Sequence, residues 1–225
     1  MNITFYGHAS FGIEVNGKHV LVDPFISANP KASDIDINQL KVDYILITHA
    51  HQDHVLDVEV IAKRTGATII SNYEIVNHFV AKELKGYHLN HGGSFCCEEF
   101  STKYVNAIHT SSFSDGSYGG QPGGFVLSAN DTSIYIAGDT CAHFDMKLIP
   151  MFTKLNAAIL PIGDTFTMGI DEAIVASDFV ECNTIIGCHF NTFPPIEIDT
   201  VEAKNKFNAK SKELILLEIG ETISI

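Results

Sequence analysis

Four side chains able to bind a metal ion fall within six positions of one another in Ile47-Thr48-His49-Ala50-His51-Gln52-Asp53-His54, an H-x-H-x-D-H cluster that follows the apolar run Tyr44-Ile45-Leu46-Ile47. Neutral imidazole nitrogens and carboxylate oxygens bind Zn²⁺ at about 2.0–2.2 Å, and Mn²⁺ or Fe²⁺ accept the same donors. The cluster contains no cysteine, so a structural thiolate zinc site is not expected. A single histidine in a polar loop reads most simply as solvated. Three histidines and an aspartate at this spacing point instead to metal binding. A strand that runs straight into such a loop gives the ligands a rigid stem.

Further chemistry-bearing residues recur at strand ends. The run Tyr104-Val105-Asn106-Ala107-Ile108 ends in His109, Ser133-Ile134-Tyr135-Ile136-Ala137 is followed by Gly138-Asp139-Thr140, and Thr184-Ile185-Ile186-Gly187-Cys188 ends in His189. Loops at one edge of a parallel or mixed sheet commonly carry function, so His49, His51, Asp53, His54, His109, Asp139 and His189 have a route to one place. Asp23, which closes His19-Val20-Leu21-Val22 ahead of Pro24, reads either as a strand-end cap or as a carboxylate that orients a ligand imidazole through its other nitrogen. His78, His88 and His91 stand alone and receive no role. Cys141 reads as a small packing residue.

The elements that must position these side chains follow from apolar patterning and turn residues. Strands are predicted at 2–6, 11–15 and 19–23, the last two joined through Asn16-Gly17, and another at 43–48. A helix is predicted over 55–64 with Gly66 as its stop, a strand over 67–71, and a helix over 73–85 ended by Gly86. Residues 25–42 read as an irregular loop, and 87–109 as short β pieces. The Ser- and Gly-rich stretch 110–124 has little to bury and reads as a mobile flap; no strand leads into a G-x-G-x-x-G phosphate loop there. Strands at 125–128, 133–137, 157–160 and 184–189 alternate with helices at 143–153 and 171–181, and 199–225 reads as a helix with two short strands. This alternation predicts a layered α/β architecture built from two similar halves, packed sheet to sheet with helices outside.

With 45% hydrophobic residues, 225 residues are enough for one domain spanning 1–225, and no linker or low-complexity block divides them. The 14 basic and 27 acidic residues give a net charge of −13, which repels polyanions, so nucleic acid is not an expected partner. Five cysteines without regular spacing give no disulfide framework. No apolar run reaches membrane-spanning length and the first residues lack a basic leader pattern, so the expectation is a cytoplasmic protein without membrane contact. Its partner would be a small-molecule substrate, with homo-oligomerisation left open.

In chain order, Asp23, the His49–His54 cluster, His109, Asp139 and His189 match the motif series of the metallo-β-lactamase superfamily, which this chain resembles over nearly its whole length. Gly7-His8-Ala9-Ser10 and Ile162-Gly163-Asp164-Thr165-Phe166-Thr167-Met168-Gly169 are similar to a branch of small metal-dependent hydrolases related to the ascorbate-6-phosphate lactonase type. The resemblance implies an αββα four-layer sandwich and two divalent metal ions, Zn first with Mn or Fe as alternatives. Carried over, His49, His51 and His109 hold one ion, Asp53, His54 and His189 the other, and Asp139 bridges. It further implies hydrolysis of a small ester-like substrate (lactone, thioester or phosphodiester) by water activated at the dinuclear centre, with Asp53 orienting the water. His8 is either a proton-transfer residue or a turn residue. Asp23 and Thr140 would be supporting groups, and Asp164, Thr167 and Met168 would meet the substrate. A non-catalytic metal-binding or sensing module and, less favoured, a metal-centred redox protein are the competing readings. No extra helical substrate domain or inserted nuclease domain is visible, and β-lactam hydrolysis does not follow from the superfamily resemblance.

Overall fold

The computed structural model describes residues 1–225. Two sheets of seven strands lie face to face. The first takes β1 (Asn2–Gly7), β2 (Ser10–Val15), β3 (Lys18–Val22), β4 (Tyr44–Leu46), β5 (Thr68–Asn72) and β6 (Gly86–Leu89). The second takes β7 (Ser94–Cys96), β8 (Ser101–Asn106), β9 (Gly123–Ala129), β10 (Thr132–Ile136), β11 (Ala157–Pro161), β12 (Thr184–Cys188) and β13 (Glu213–Ile215). The chain then returns, and β14 (Thr222–Ser224) pairs with β1 at the edge of the first sheet.

Both sheets follow one plan. From β14 through β1, β2 and β3 every pairing is antiparallel, and from β3 to β6 every pairing is parallel. In the second sheet β7 to β10 pair antiparallel and β10 to β13 parallel. The two halves therefore share a topology although their sequences show no clear repeat. β3 corresponds to β10, and Asp23 and Asp139 stand in the loops beyond them.

Strand periodicity sorts side chains between inner and outer faces. On β3, Val20 and Val22 point into the core between the sheets while Leu21 points outward; on β10, Ile134 and Ile136 point in and Tyr135 out. The outer face of the first sheet is covered by α2 (Val58–Thr65) and α3 (Tyr73–Val80), which follow a short α1 (Gln52–Val55). The outer face of the second is covered by α4 (Ile170–Phe179) and α5 (Thr200–Asn208). Parallel strands packed on both faces carry apolar residues on both faces, which is why Ile45-Leu46-Ile47 and Ala157-Ala158-Ile159-Leu160 read as unbroken apolar runs. The result is a four-layer α/β sandwich. No helix is long and apolar enough to cross a membrane.

Several local expectations shift. The helix anticipated over 55–64 divides, because Gln52, Asp53 and His54 already form the turn α1 and a second helix starts at Val58. Gly86 does not end a helix but opens β6, where a side chain would collide with Val76 of α3. The segment 143–153 forms only a short 3₁₀ turn, Phe144–Leu148.

The stretch 110–124 is pinned rather than mobile. Phe113 is buried against α3 and stacks on His78, and Ser111 Oγ donates to Gly119 O while accepting from Ala50 N. Asn72 Nδ2 donates to Gly119 O and Gln121 O, and Gly123 N donates to Thr48 O. A polar composition suggested mobility, but one buried aromatic and these hydrogen bonds tie the segment to the loop that carries the histidine cluster.

Leu127 lies wholly inside the intersheet core. Truncation there leaves a cavity that a sandwich held on both sides cannot close. Leu127→Ala is expected to cost about 2–5 kcal/mol in urea unfolding, with the slope of the transition unchanged.

Candidate metal centre

The strand ends that carry the candidate residues all open on one edge of the sandwich. Asp23 follows β3, the cluster 49–54 follows β4, His109 follows β8, Asp139 follows β10 and His189 follows β12. Backbone conformation there is unusual: His8, Asp23 and His189 all adopt left-handed geometry, with φ of 56°, 42° and 53°. Such residues persist only where surrounding contacts impose the conformation, and they concentrate at functional sites. Gly138 has φ +65°, and a side chain on it would meet Thr48 Cβ at 2.6 Å, so glycine is needed to bring Asp139 up to the cluster.

Asp139 is the point of convergence. Its Oδ2 lies 3.1 Å from His189 Nε2, 3.3 Å from His54 Nε2, 3.6 Å from His109 Nε2 and 3.8 Å from His49 Nε2. These imidazoles come from both sheets. His51 joins through its Nδ1, 3.0 Å from His49 Nε2, and Asp53 Oδ2 lies 3.8 Å from His189 Nε2. All seven candidates thus meet in one place.

Asp23 sets the direction of two of these imidazoles. Its carboxylate accepts from Thr48 N at 2.8 Å, from Thr48 Oγ1 at 2.6 Å and from His54 Nδ1 at 2.9 Å. Because the Thr48 hydroxyl hydrogen goes to Asp23, Thr48 Oγ1 is left to accept from His49 Nδ1 at 3.0 Å. Both rings therefore carry a proton on Nδ1, which leaves Nε2 free to aim at the centre. That is the usual support for a metal-ligating histidine. Ser10 Oγ, which donates to Asp23 O at 2.5 Å and accepts from Phe25 N, fixes the strained backbone behind it.

His8 approaches from the opposite side. Its Nε2 lies 3.0 Å from Asp53 Oδ2 and its Nδ1 3.0 Å from Thr192 Oγ1. Burial drives its pKa down to about 4, with Asp53 opposing, so it is neutral at pH 7. An ionised Asp53 only accepts, so Nε2 carries the proton and Nδ1 accepts from Thr192. Thr140 links three loops: its Oγ1 accepts from Ile108 N and donates to Cys141 O, while its carbonyl accepts from Met168 N.

The donor set fits divalent metal. His49, His51 and His109 present ligand atoms within 4.8 Å of one another, and so do His8, Asp53, His54 and His189. Buried His54 Nε2 and Asp139 Oδ1 have no hydrogen-bond partner, a costly state that a cation among them would relieve. Protons supply the positive charge otherwise. Burial opposes the imidazolium of His189, yet Asp139 and Asp53 raise its pKa to about 9, and Asp139 and Asp23 likewise hold His54 well above its usual range. Burial alone would raise Asp53 and Asp139, but the surrounding imidazoles hold both carboxyls below the usual carboxylate range. His49, His51 and His109 are pushed down, chiefly by burial.

A cleft of about 710 Å³ opens over the cluster, lined by His51, Asp53, His109, Asp139, His189, Ile108, Thr110, Thr165 and Phe166. Of the substrate contacts expected from sequence, Met168 must be corrected: it is 0% exposed and packs in the outer core against α4, where an apolar thioether is favoured. Asp164 and Thr167 are not among the lining residues either. Asp164 accepts from Thr165 N and holds the turn, and the residues it lifts into the cleft are Thr165 and Phe166. Thr48, Thr192 and Ile108 escaped the sequence reading. Thr48 was marked only by its place one residue ahead of His49, and nothing local marked Thr192. The three histidines left without a role pack elsewhere: His78 on Phe113, His88 on Tyr73 and His91 on Tyr104. All five cysteines are free.

The family described as Beta-lactamase superfamily domain matches residues 2–189. A UPF0173 metal-dependent hydrolase of Christiangramia forsetii is 62% identical over the full length of both chains, and one of Methylacidiphilum infernorum is 43% identical over 99% of each. The structure is similar to that of Igni18, a metallo hydrolase from the archaeon Ignicoccus hospitalis, at 32% identity and a TM-score of 0.89, covering 99% of this chain and 97% of that one. The chain belongs to the metallo-β-lactamase superfamily. Within it, the chain sits among the UPF0173 metal-dependent hydrolases.

Two measurements test the electrostatics. Asp23→Asn is expected to weaken metal binding about 10–100-fold in competition with a chromogenic chelator, because the orienting acceptor for His54 and Thr48 is lost. In metal-stripped protein, the raised His189 contributes stability that is complete below its unfolded-state pKa near 6.5 and disappears as pH rises through about 9. The Tm of stripped protein is therefore expected to fall between pH 7 and pH 10, and that of metal-loaded protein to change less.

Proposed function

We propose that this protein is a single-domain, cytoplasmic hydrolase of small ester-like substrates (lactones, thioesters or phosphodiesters) that works through two divalent metal ions, Zn²⁺ first, with Mn²⁺ or Fe²⁺ as alternatives. The observation that carries the proposal is the approach of four Nε2 atoms to one oxygen of Asp139. In this reading His49, His51 and His109 hold one ion, Asp53, His54 and His189 hold the other, and Asp139 serves both. Bound there, the ions would lower the pKa of water and polarise a carbonyl or phosphoryl oxygen.

The chain's own residues do the rest. Asp53 stays ionised across the physiological range because the adjacent imidazoles hold its pKa down against burial, so it can accept a hydrogen bond from the attacking water and orient it. The water adds to the acyl or phosphoryl centre, the bond to the leaving oxygen or sulfur breaks, and Asp53 passes the proton towards that atom. His8 is a positioning residue: its Nε2–H holds Asp53 Oδ2 in place, and Thr192 holds His8. Asp23 and Thr140 keep the ligand loops in register.

Purified protein is expected to contain between one and two equivalents of transition metal by elemental analysis, and chelation to abolish ester or lactone turnover reversibly. Asp53→Asn is expected to lower kcat by about 10²-fold or more while the protein still folds and retains the ion held by His49, His51 and His109. Full turnover by Asp53→Asn, or by wild-type protein free of metal, would overturn the reading.

A further inference from the structure

We infer that the substrate is electrically neutral and carries an apolar group, which Ile108 and Phe166 grip at the mouth of the cleft. This rests on the hydrolytic reading above and narrows its substrate class. None of the residues lining the cleft is a lysine or arginine; its acidic members are Asp53 and Asp139, and its histidines belong to the metal cluster. A metal pair can neutralise charge at the reacting atom. It offers nothing to a second anionic group further along the substrate, such as the phosphate of a sugar lactone or of a nucleotide, and such groups are ordinarily met by arginine or lysine.

Apolar surface is what the mouth does offer. Ile108 is 52% exposed and Phe166 55% exposed, and both line the opening above the metal ligands. Two large apolar side chains on the wall of a concave site give it the apolar lining that small-molecule pockets use. Neither sits on a slack segment. Ile108 N donates to Thr140 Oγ1 at 3.0 Å, and Ile108 O accepts from Cys141 N. Phe166 rides on two consecutive left-handed residues, Asp164 with φ 62° and Thr165 with φ 58°. That costly turn is held by Asp164 N to Met168 O and by Thr165 Oγ1 to Pro195 O, and Met168 anchors it in the core. The strain projects a phenyl ring over the cleft.

A matched pair of esters tests this on metal-loaded protein: p-nitrophenyl butyrate, and p-nitrophenyl hydrogen succinate with a terminal carboxylate, together with bis(p-nitrophenyl) phosphate. Butyrate is expected to be favoured over the hemisuccinate by about 10-fold or more in kcat/KM, within the range that one apolar contact supplies. Phe166→Ala should collapse that preference by lowering kcat/KM for butyrate alone, and Phe166→Lys should raise the hemisuccinate rate. Calorimetric titration of non-hydrolysable 4-phenylbutan-2-one against 4-(3-oxobutyl)benzenesulfonate, the same ketone with a distal anion, gives a readout that does not depend on turnover: the uncharged ketone should bind more tightly to wild type and lose that advantage in Phe166→Ala. Faster hydrolysis of the hemisuccinate or the phosphodiester, or an unchanged preference in Phe166→Ala, would overturn the inference. The Asp53→Asn variant separates the two claims. If it keeps full turnover, the hydrolytic reading fails, and the titration still decides whether the cleft selects neutral apolar ligands.

Discussion

The whole arrangement depends on setting carboxylates against imidazoles: five imidazoles and two carboxylates are packed within a few ångströms of each other at the edge of an apolar sandwich. Left unbalanced, such a group would be expelled to water. Two buried carboxylates hold it together from opposite sheets. Asp139 draws four rings towards one oxygen, and Asp23 stands behind two of those rings and dictates which nitrogen each presents. The loops that bring these groups together hold left-handed backbone at His8, Asp23 and His189.

The scaffold makes that concentration of charge tolerable. The parallel part of each sheet is largely apolar on both faces, and the residues of the cluster stand in loops beyond the strand ends. The shared plan of the two sheets explains why Asp23 and Asp139 occupy corresponding places. What the two sheets share is topology, and their aspartates are placed differently: Asp23 lies behind the imidazoles, and Asp139 lies among them. The polar segment 110–124 is drawn into the same construction, since Ser111 and Gly123 bond to the ligand loop and Phe113 is buried below.

The cleft above the cluster combines a charged floor with an apolar rim. Different forces hold the two in place. Hydrogen bonds accepted by Asp23 and those made by Thr48, Thr140 and Thr192 position the floor. A strained turn anchored by buried Met168 positions Phe166 on the rim.

What the sequence determined by itself was the inventory and its order. H-x-H-x-D-H is legible because its ligands are close neighbours in the chain, and His109, Asp139 and His189 are legible because each follows an apolar strand pattern, a periodicity set by local burial. The layered α/β class was legible for the same reason. Only the tertiary structure decided which of these residues face one another, that His8 meets Asp53, and that Thr165 and Phe166, rather than Asp164, Thr167 and Met168, line the cleft. Those outcomes turn on contacts between segments far apart in sequence, where a one-residue change in turn geometry reverses which side chain points to solvent. No local pattern records that.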